Sequence, residues 1–466
     1  MKSQGYVRMQ SWHPDLEKAE GPKYLAITAE LERDVEAGRL VPGDRLPPQR
    51  ALAERLGVDL TTITRAYDEA RRRGLIEADG RRGSFVRARA VALVEDEDAV
   101  PADTGMNMPP VPRAALAEAW TQGTAMLFQG RAAARLHYQP AGGAMEDREA
   151  AARLLETRGV EAGPDMVLVT AGGQHALHAA IRAQLRPGDV MCVGRYAYSG
   201  FLALARSYGL RLRVVEGDGE GVDPDALDAA CRAERVRGLY VVPTNDNPTT
   251  ATLGEDRRRA IAQVARRHDL AIVEDDAYGQ LPAEPLPPLA ALAPERTWHI
   301  ASVSKILSPS LRIAHLRAPS VKDAMRAAID LHATAVMAAP LNAALVTGWL
   351  ENGTYARLID EVRAEAAWRR RLAADILDGA DWRAHPQGYH LWLRLEEGVM
   401  IHEILNTLRP AGLSVVPGGA FAVEPLAERR LRISIGGGLG RERLERNLRL
   451  LEAMLHPRGG QAAPLV

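Results

Sequence analysis

Lys305 and Lys322 are the only lysines between Val91 and Val466, a stretch in which arginine carries nearly all the positive charge. Lys305 lies in Ala301-Ser-Val-Ser-Lys-Ile-Leu-Ser-Pro-Ser-Leu-Arg312, three residues after Ser302, one after Ser304 and seven before Arg312. An amine that condenses with an aldehyde must first lose its proton. Lysine can do so within the pH range of a folded protein, and arginine cannot. Hydroxyls and a guanidinium close by suit a phosphate. Taken alone, the string also reads as an exposed lysine in an arginine-rich chain, so the segments around it must decide.

Five such segments carry compatible chemistry. Thr170-Ala-Gly-Gly-Gln-His175 follows an apolar run and opens a helix, where free N–H groups can meet an anion. Tyr198 stands after Val190-Met-Cys-Val193 and could stack on a flat heterocycle or pack in the core. Pro243-Thr-Asn-Asp-Asn-Pro-Thr249 offers Asn247 as a donor to a phenolate-type oxygen, or forms an ordinary turn. Glu274-Asp275-Asp276-Ala-Tyr278 puts three acids in a row at a strand end, costly unless one meets a cation. Asp275 could face a protonated ring nitrogen and Tyr278 a ring oxygen, while a helix-capping cluster is the plainer alternative. Arg432, inside Arg430-Leu-Arg-Ile-Ser-Ile435, is a guanidinium in a strand that reads as buried, and a carboxylate would match it.

These segments need a scaffold. Met166–Val169, Val190–Val193, Leu239–Val242, Ala271–Val273 and Thr297–Ile300 are short apolar runs separated by helical stretches. That alternation predicts a mostly parallel sheet with helices on both faces. Ligands of such sheets bind beyond the carboxyl ends of the strands, where these residues fall. After about residue 340 the texture changes to long helices and two strand-like runs, which predicts a smaller α+β domain. The expected division is 1–88, a linker over 89–108 with Glu95-Asp-Glu-Asp98 and several prolines, and 109–466, its large part 109–335 and small part 340–456.

The 466 residues are 46% hydrophobic and 26% charged, with a net charge of −1, ordinary for a soluble globular protein. Two cysteines fit a reducing compartment. No apolar run is long enough to span a bilayer, so a cytoplasmic location and no membrane partner are expected. Charge is uneven, with eight arginines against four acids from Arg65 to Arg89. In that region Tyr24–Glu36 reads as an amphipathic helix, Pro48-Gln-Arg50 opens a second, and Asp59 caps a third over Thr61–Arg73. Leu75–Glu77 and Ser84–Val86 read as strands around a basic turn.

The N-terminal segment resembles the GntR-type winged helix-turn-helix. The resemblance rests on Gly38-Arg-Leu-Val-Pro-Gly-Asp-Arg-Leu-Pro47, Arg50, Leu52-Ala53, Leu56-Gly57, Thr61-Thr62, Ala66-Tyr67, Gly74-Leu-Ile76 and Gly83-Ser-Phe-Val86. It implies double-stranded DNA as partner. Thr61, Thr62, Thr64 and Arg65 are expected at base edges or phosphates, with Arg50 and Arg82 on backbone phosphate. Leu60 stands where that family usually has arginine.

From about Asn107 to Leu455 the chain resembles fold type I pyridoxal-phosphate aminotransferases. The resemblance implies pyridoxal 5'-phosphate as cofactor and Lys305 as its Schiff-base lysine. It implies Asp275 as ring-nitrogen partner, Tyr278 and Asn247 as ring-oxygen partners, and Tyr198 as stacking ring. Gly173, Gln174, Ser302, Ser304 and Arg312 form the implied phosphate cup, and Arg432 takes a ligand carboxylate. Tyr138 matches a tyrosine that reaches the phosphate of a partner subunit. Gly173, Thr250 and Gly194-Arg-Tyr196 depart from the usual hydroxyl, glycine and acid-x-proline.

Both halves together resemble the MocR subgroup of bacterial transcription regulators. That implies a head-to-tail, domain-swapped homodimer binding an operator, in which Lys305 serves to sense the cofactor or an amino compound. The rival expectation is a working aminotransferase with an accessory DNA-binding module.

Overall fold

Leucine and isoleucine at helical spacing draw the first helix, α1 (Lys23–Glu36), around Ile27 and Leu31, both buried. Helix α2 (Gln49–Leu56) buries Leu52 and ends at Gly57, whose φ of 60° closes the turn on the carbonyls of Ala53 and Glu54. Asp59 then caps α3 (Leu60–Arg72), accepting from the Thr61 amide at 2.7 Å. Ile63, Ala66, Tyr67 and Ala70 line the inner face of α3, and the Tyr67 hydroxyl donates to the Pro47 carbonyl at 2.8 Å. Strands β1 (Ile76–Asp79) and β2 (Gly83–Val86) pair antiparallel, with Ile76 opposite Val86. The computed structural model describes residues 12–14, 22–36, 39–40, 44–79, 83–86, 105–129, 135, 137–427 and 429–456. The chain divides into two compact units, Met1–Ala99 and Val100–Val466.

In the second unit the strands follow as β3 (Val167–Thr170), β4 (Val190–Gly194) and β5 (Arg211–Val215), then the short pair β6 (Gly217–Asp218) and β7 (Gly221–Val222). After them come β8 (Val236–Val241), β9 (Ala271–Asp275), β10 (Thr297–Ser302) and β11 (Ala314–Arg317). Seven of them form one sheet in the order β3-β11-β10-β9-β8-β4-β5. Only β11 runs antiparallel to its neighbours. Wholly buried faces on β3 and β10 show that helices cover both sides of the sheet. Two strands of this seven-stranded sheet escaped the sequence reading. Strand β5 is an edge strand whose exposed Arg211 and Arg213 break the apolar run. Strand β11 carries His315 and Arg317, both buried, so its sequence does not look like a core strand.

Helices Val321–Ala335, Pro340–Glu351 and Thr354–Ile376 lead to a second lobe. There β12 (Trp382–Arg383), β13 (His390–Arg394), β14 (Ser414–Pro417) and β15 (Arg430–Ser434) form an antiparallel sheet in the order β12-β13-β15-β14. Helix Arg441–Leu455 packs its leucines into the core of this unit. Because β4, β8, β9 and β10 are parallel, their carboxyl ends open on one edge of the large sheet. Among the described residues no helix is long and apolar enough to cross a membrane.

Candidate functional site

Strand β9 ends in three adjacent acids, and the fold gives each a different fate. Glu274 accepts from the Leu289 and Ala290 amides at 2.6 and 3.0 Å and meets His299 at 2.7 Å. It therefore fills the helix-capping role that the sequence left open. Asp276 pairs with Arg158. Asp275, 6% exposed, receives only the Tyr240 hydroxyl, at 3.0 Å, among the described residues. Burial pushes its carboxyl up to about 6, although that hydrogen bond pulls the other way.

Lys305 sits in the turn that follows β10. Burial, and then the Arg432 guanidinium, bring its amine down from 10.5 to about 8. The Asp275 charge opposes this. Its Nζ donates to the Asn107 carbonyl at 2.7 Å, and its own carbonyl accepts from the Tyr389 hydroxyl at 2.7 Å. Arg432, 1% exposed, donates to the Gly105 carbonyl at 2.7 Å and lies over the Phe421 ring.

Several of the residues expected to hold a phosphate lie near the start of helix Gly173–Gln184. Gly172 has a φ of 84°, and a Cβ there would come within 2.9 Å of Arg312 Nη2, so only glycine suits this approach. Arg312 itself is left-handed at φ 50° and donates to the Ala171 carbonyl at 3.2 Å. A Cβ built on Gly173 would lie 3.5 Å from Ser302 Oγ. The Gln174 side chain turns aside to the Gly200 carbonyl at 2.9 Å. Tyr198 is half-buried beside Gly200, and burial, then the Asp275 charge, raise its hydroxyl above the ordinary tyrosine range. Tyr278 is buried and its oxygen accepts from Asn107 Nδ2 at 3.0 Å. Tyr138 is 83% exposed, outside this cluster.

Four contributors escaped the sequence reading. Asn107, 1% exposed, also accepts from the Ser434 hydroxyl at 2.6 Å and approaches His390 Nδ1 at 3.1 Å. It falls in the segment expected to be linker, and nothing local marks it. Tyr240, Tyr389 and His390 look like core residues in sequence and become site residues only through their hydroxyl and ring contacts.

In the first unit Arg50 and Thr61 are exposed, and Thr62 is half-buried at the start of α3. The Thr61 hydroxyl donates to Asp59 at 2.6 Å. The Thr64 hydroxyl lies 2.9 Å from Gln49 Oε1 and ties α3 to α2. Arg65 lies over the Tyr24 ring at 4.4 Å, which fixes it against α1. Arg82 lies outside the described residues.

A helix-turn-helix unit and a two-lobed unit with a lysine and an acid at the strand ends of its large sheet define a regulator built on an aminotransferase fold. Residues 102–451 match the aminotransferase class I and II family, and residues 23–86 match the gntR family of bacterial regulatory proteins. The chain belongs to both families, combined as in the MocR-type regulators. It is 30% identical to the HTH-type transcriptional regulator YdeF of Bacillus subtilis, over 96% of this chain and 97% of that one. It is 27% identical to the pyridoxine biosynthesis regulator PdxR of Corynebacterium glutamicum, over 84% and 86%. Among solved structures it resembles the α-aminoadipate aminotransferase LysN of Thermus thermophilus, with a TM-score of 0.67, 27% identity and 76% and 91% coverage. LysN was solved with N-(5'-phosphopyridoxyl)-L-leucine.

The cofactor of this aminotransferase family is pyridoxal 5'-phosphate. The residues present fit that group. Ser304 Oγ and Asn247 Oδ1 are buried with no hydrogen-bond partner among the described residues. Buried polar atoms of this kind ordinarily find one. Asp275 is a buried carboxylate that a cationic ring nitrogen would stabilise, and the glycine cradle beneath Arg312 suits a phosphate.

Proposed function

We propose that this regulator holds pyridoxal phosphate at Lys305 and senses there either the cofactor itself or an amino compound. When bound, the cofactor supplies an aldehyde that reacts with primary amines and a ring that withdraws electrons. Gly173, Ser302, Ser304 and Arg312 would hold the phosphate, with Gln174 contributing its backbone amide at the helix start. Asp275 would keep a proton on the ring nitrogen, Tyr198 would face the ring, and Asn247 and Tyr278 would steady its oxygen. Arg432 takes the carboxylate of the effector. The lowered Lys305 amine supports this reading, because a neutral nitrogen attacks and an ammonium does not.

One observation carries the sensor reading. Lys305 and Arg432 both donate to backbone carbonyls of the same short stretch, Asn107 and Gly105, at 2.7 Å each. A ligand that claims those two donors must displace that stretch. The residues before it lead to the DNA-binding unit, so displacement there is a mechanical signal rather than a step in turnover. Arg50 and Arg82 bind operator phosphates, and Thr61, Thr62, Thr64 and Arg65 meet bases or nearby phosphates. The assembly is a head-to-tail, domain-swapped homodimer in the cytoplasm. The exposure of Tyr138 supports a partner-facing role, as expected if it reaches the other subunit's phosphate.

The rival, a working aminotransferase, draws support from the full set of candidate residues around Lys305. A steady-state transamination assay over a panel of amino and keto acids separates the two. Spectral change without turnover is expected. Sustained turnover at about 1 per second or faster would rule out a purely regulatory role.

A further inference from the structure

The two lobes of the aminotransferase-like unit enclose a cleft of about 320 Å³ that shares Tyr240 with the Lys305 site but none of the residues expected to touch the cofactor. Its large-lobe wall is the end of β4 and the β6–β7 hairpin, and its small-lobe wall is Arg383, Trp392 and Arg430. Lys305, Asp275, Tyr198 and Arg432 do not line it. The volume is at the small end of the range for small-molecule sites. We propose that this cleft is a second binding site, for a small flat aromatic carboxylate.

Aromatic edges shape it. Tyr196 meets Trp392 edge-on, with centroids 5.0 Å apart and planes at 77°. Trp392 in turn meets Phe421 edge-on at 6.5 Å, and Phe421 lies beneath Arg432. This aromatic row stands between the cleft and the Arg432 guanidinium, and it presents ring surface to a flat ligand.

Charge selects the ligand's sign. On the large-lobe wall the charges are already matched. Arg195 pairs with Glu216 at 2.6 Å. Arg257 grips Asp218 through two bonds of 2.7 and 2.8 Å, and reaches Glu220 at 3.6 Å. On the small-lobe wall Arg430 lies over the Trp392 ring at 5.9 Å. Arg383 has no carboxylate within ion-pair distance among the described residues. It reaches across to the hairpin, where a Cβ on Gly219 would sit 2.5 Å from its Nη1. Asp246 is the remaining acid on the lining, and it accepts from the Thr249 hydroxyl at 2.6 Å. The Arg383 guanidinium beside an aromatic wall favours a planar carboxylate, which arginine binds in a fork. A ligand seated there touches both lobes at once.

The probe is benzoate, which has no amine and therefore cannot react at the cofactor. Binding to the full-length protein is followed by ligand-observed saturation-transfer NMR and calorimetry. Saturable binding is expected, weakened about tenfold or more by Arg383→Ala and retained by Lys305→Ala and Arg432→Ala. Arg383 is exposed, so its replacement leaves the fold intact, and circular dichroism checks this. Absence of saturable binding up to about 10 mM would overturn the proposal. So would binding that is lost in Arg432→Ala and unchanged in Arg383→Ala, because benzoate would then be occupying the effector site. Failure of the Lys305 reading would leave these outcomes unaltered.

Discussion

Replacing Asp275 with asparagine should make the cofactor-free protein more stable and the cofactor-loaded protein less so. The carboxyl is 6% exposed, and burial lifts it from 3.8 to about 6. A carboxyl raised in the folded state penalises folding above its folded value, and the penalty fades as pH falls from about 6 towards 3.8. A shift of roughly two units corresponds to about 3 kcal/mol at 1.36 kcal/mol per unit. The asparagine oxygen can still accept from Tyr240, so that bond survives, while its buried amide offsets part of the gain. A net stabilisation of about 1–3 kcal/mol is therefore expected at pH 8, vanishing below about pH 4. Denaturant unfolding of the cofactor-free protein at a series of pH values measures it. Added pyridoxal phosphate should reverse the order, since the variant lacks the charge that partners a ring nitrogen. A variant less stable than the parent at pH 8, or a difference that does not change with pH, would show that Asp275 is not a strained carboxylate awaiting a cation.

Four further outcomes are expected. Lys305→Ala should abolish the visible absorption of protein-bound cofactor while leaving the far-ultraviolet dichroism unchanged. In the parent, the rate of cofactor uptake should rise about tenfold per pH unit below 8 and level off above it. This follows because the amine's neutral fraction saturates once pH passes its lowered value of about 8, and stopped-flow absorbance checks it. Asn107→Ala should cost about 1–3 kcal/mol by stranding the Tyr278 and Ser434 hydroxyls, and should change effector affinity in the same spectral titration. In DNA-binding assays Arg50→Ala should weaken all sequences alike and lower the salt slope by about 1, whereas Thr62→Ala should relax discrimination by about 1–3 kcal/mol. Equal effects on affinity and discrimination would refute that division.

Much of the candidate site was legible because its residues are tied to element ends. A glycine pair before a helix, acids after an apolar run and a lone lysine after another keep their meaning as long as the strands are parallel. The acids show where reading stopped. Three carboxylates in a row look equivalent in sequence, and only the packing of His299, Arg158 and Tyr240 distinguishes Glu274, Asp276 and Asp275. Strand β11 was hidden for a related reason: the fold buries His315 and Arg317, so its side chains do not advertise a core strand.

The order of the parts, the reader before the sheet, and the residue types at each strand end are legible in the chain alone. Those follow from local spacing, which fixes helix and strand periods without reference to distant residues. Tertiary structure alone decided that Gly105 and Asn107 occupy the donors of Arg432 and Lys305, because those contacts join residues 327 and 198 positions apart. It also decided the state of Lys305. A lysine's charge depends on what surrounds it, and burial beside Arg432 brings an ordinary ammonium to about 8, within reach of a neutral amine.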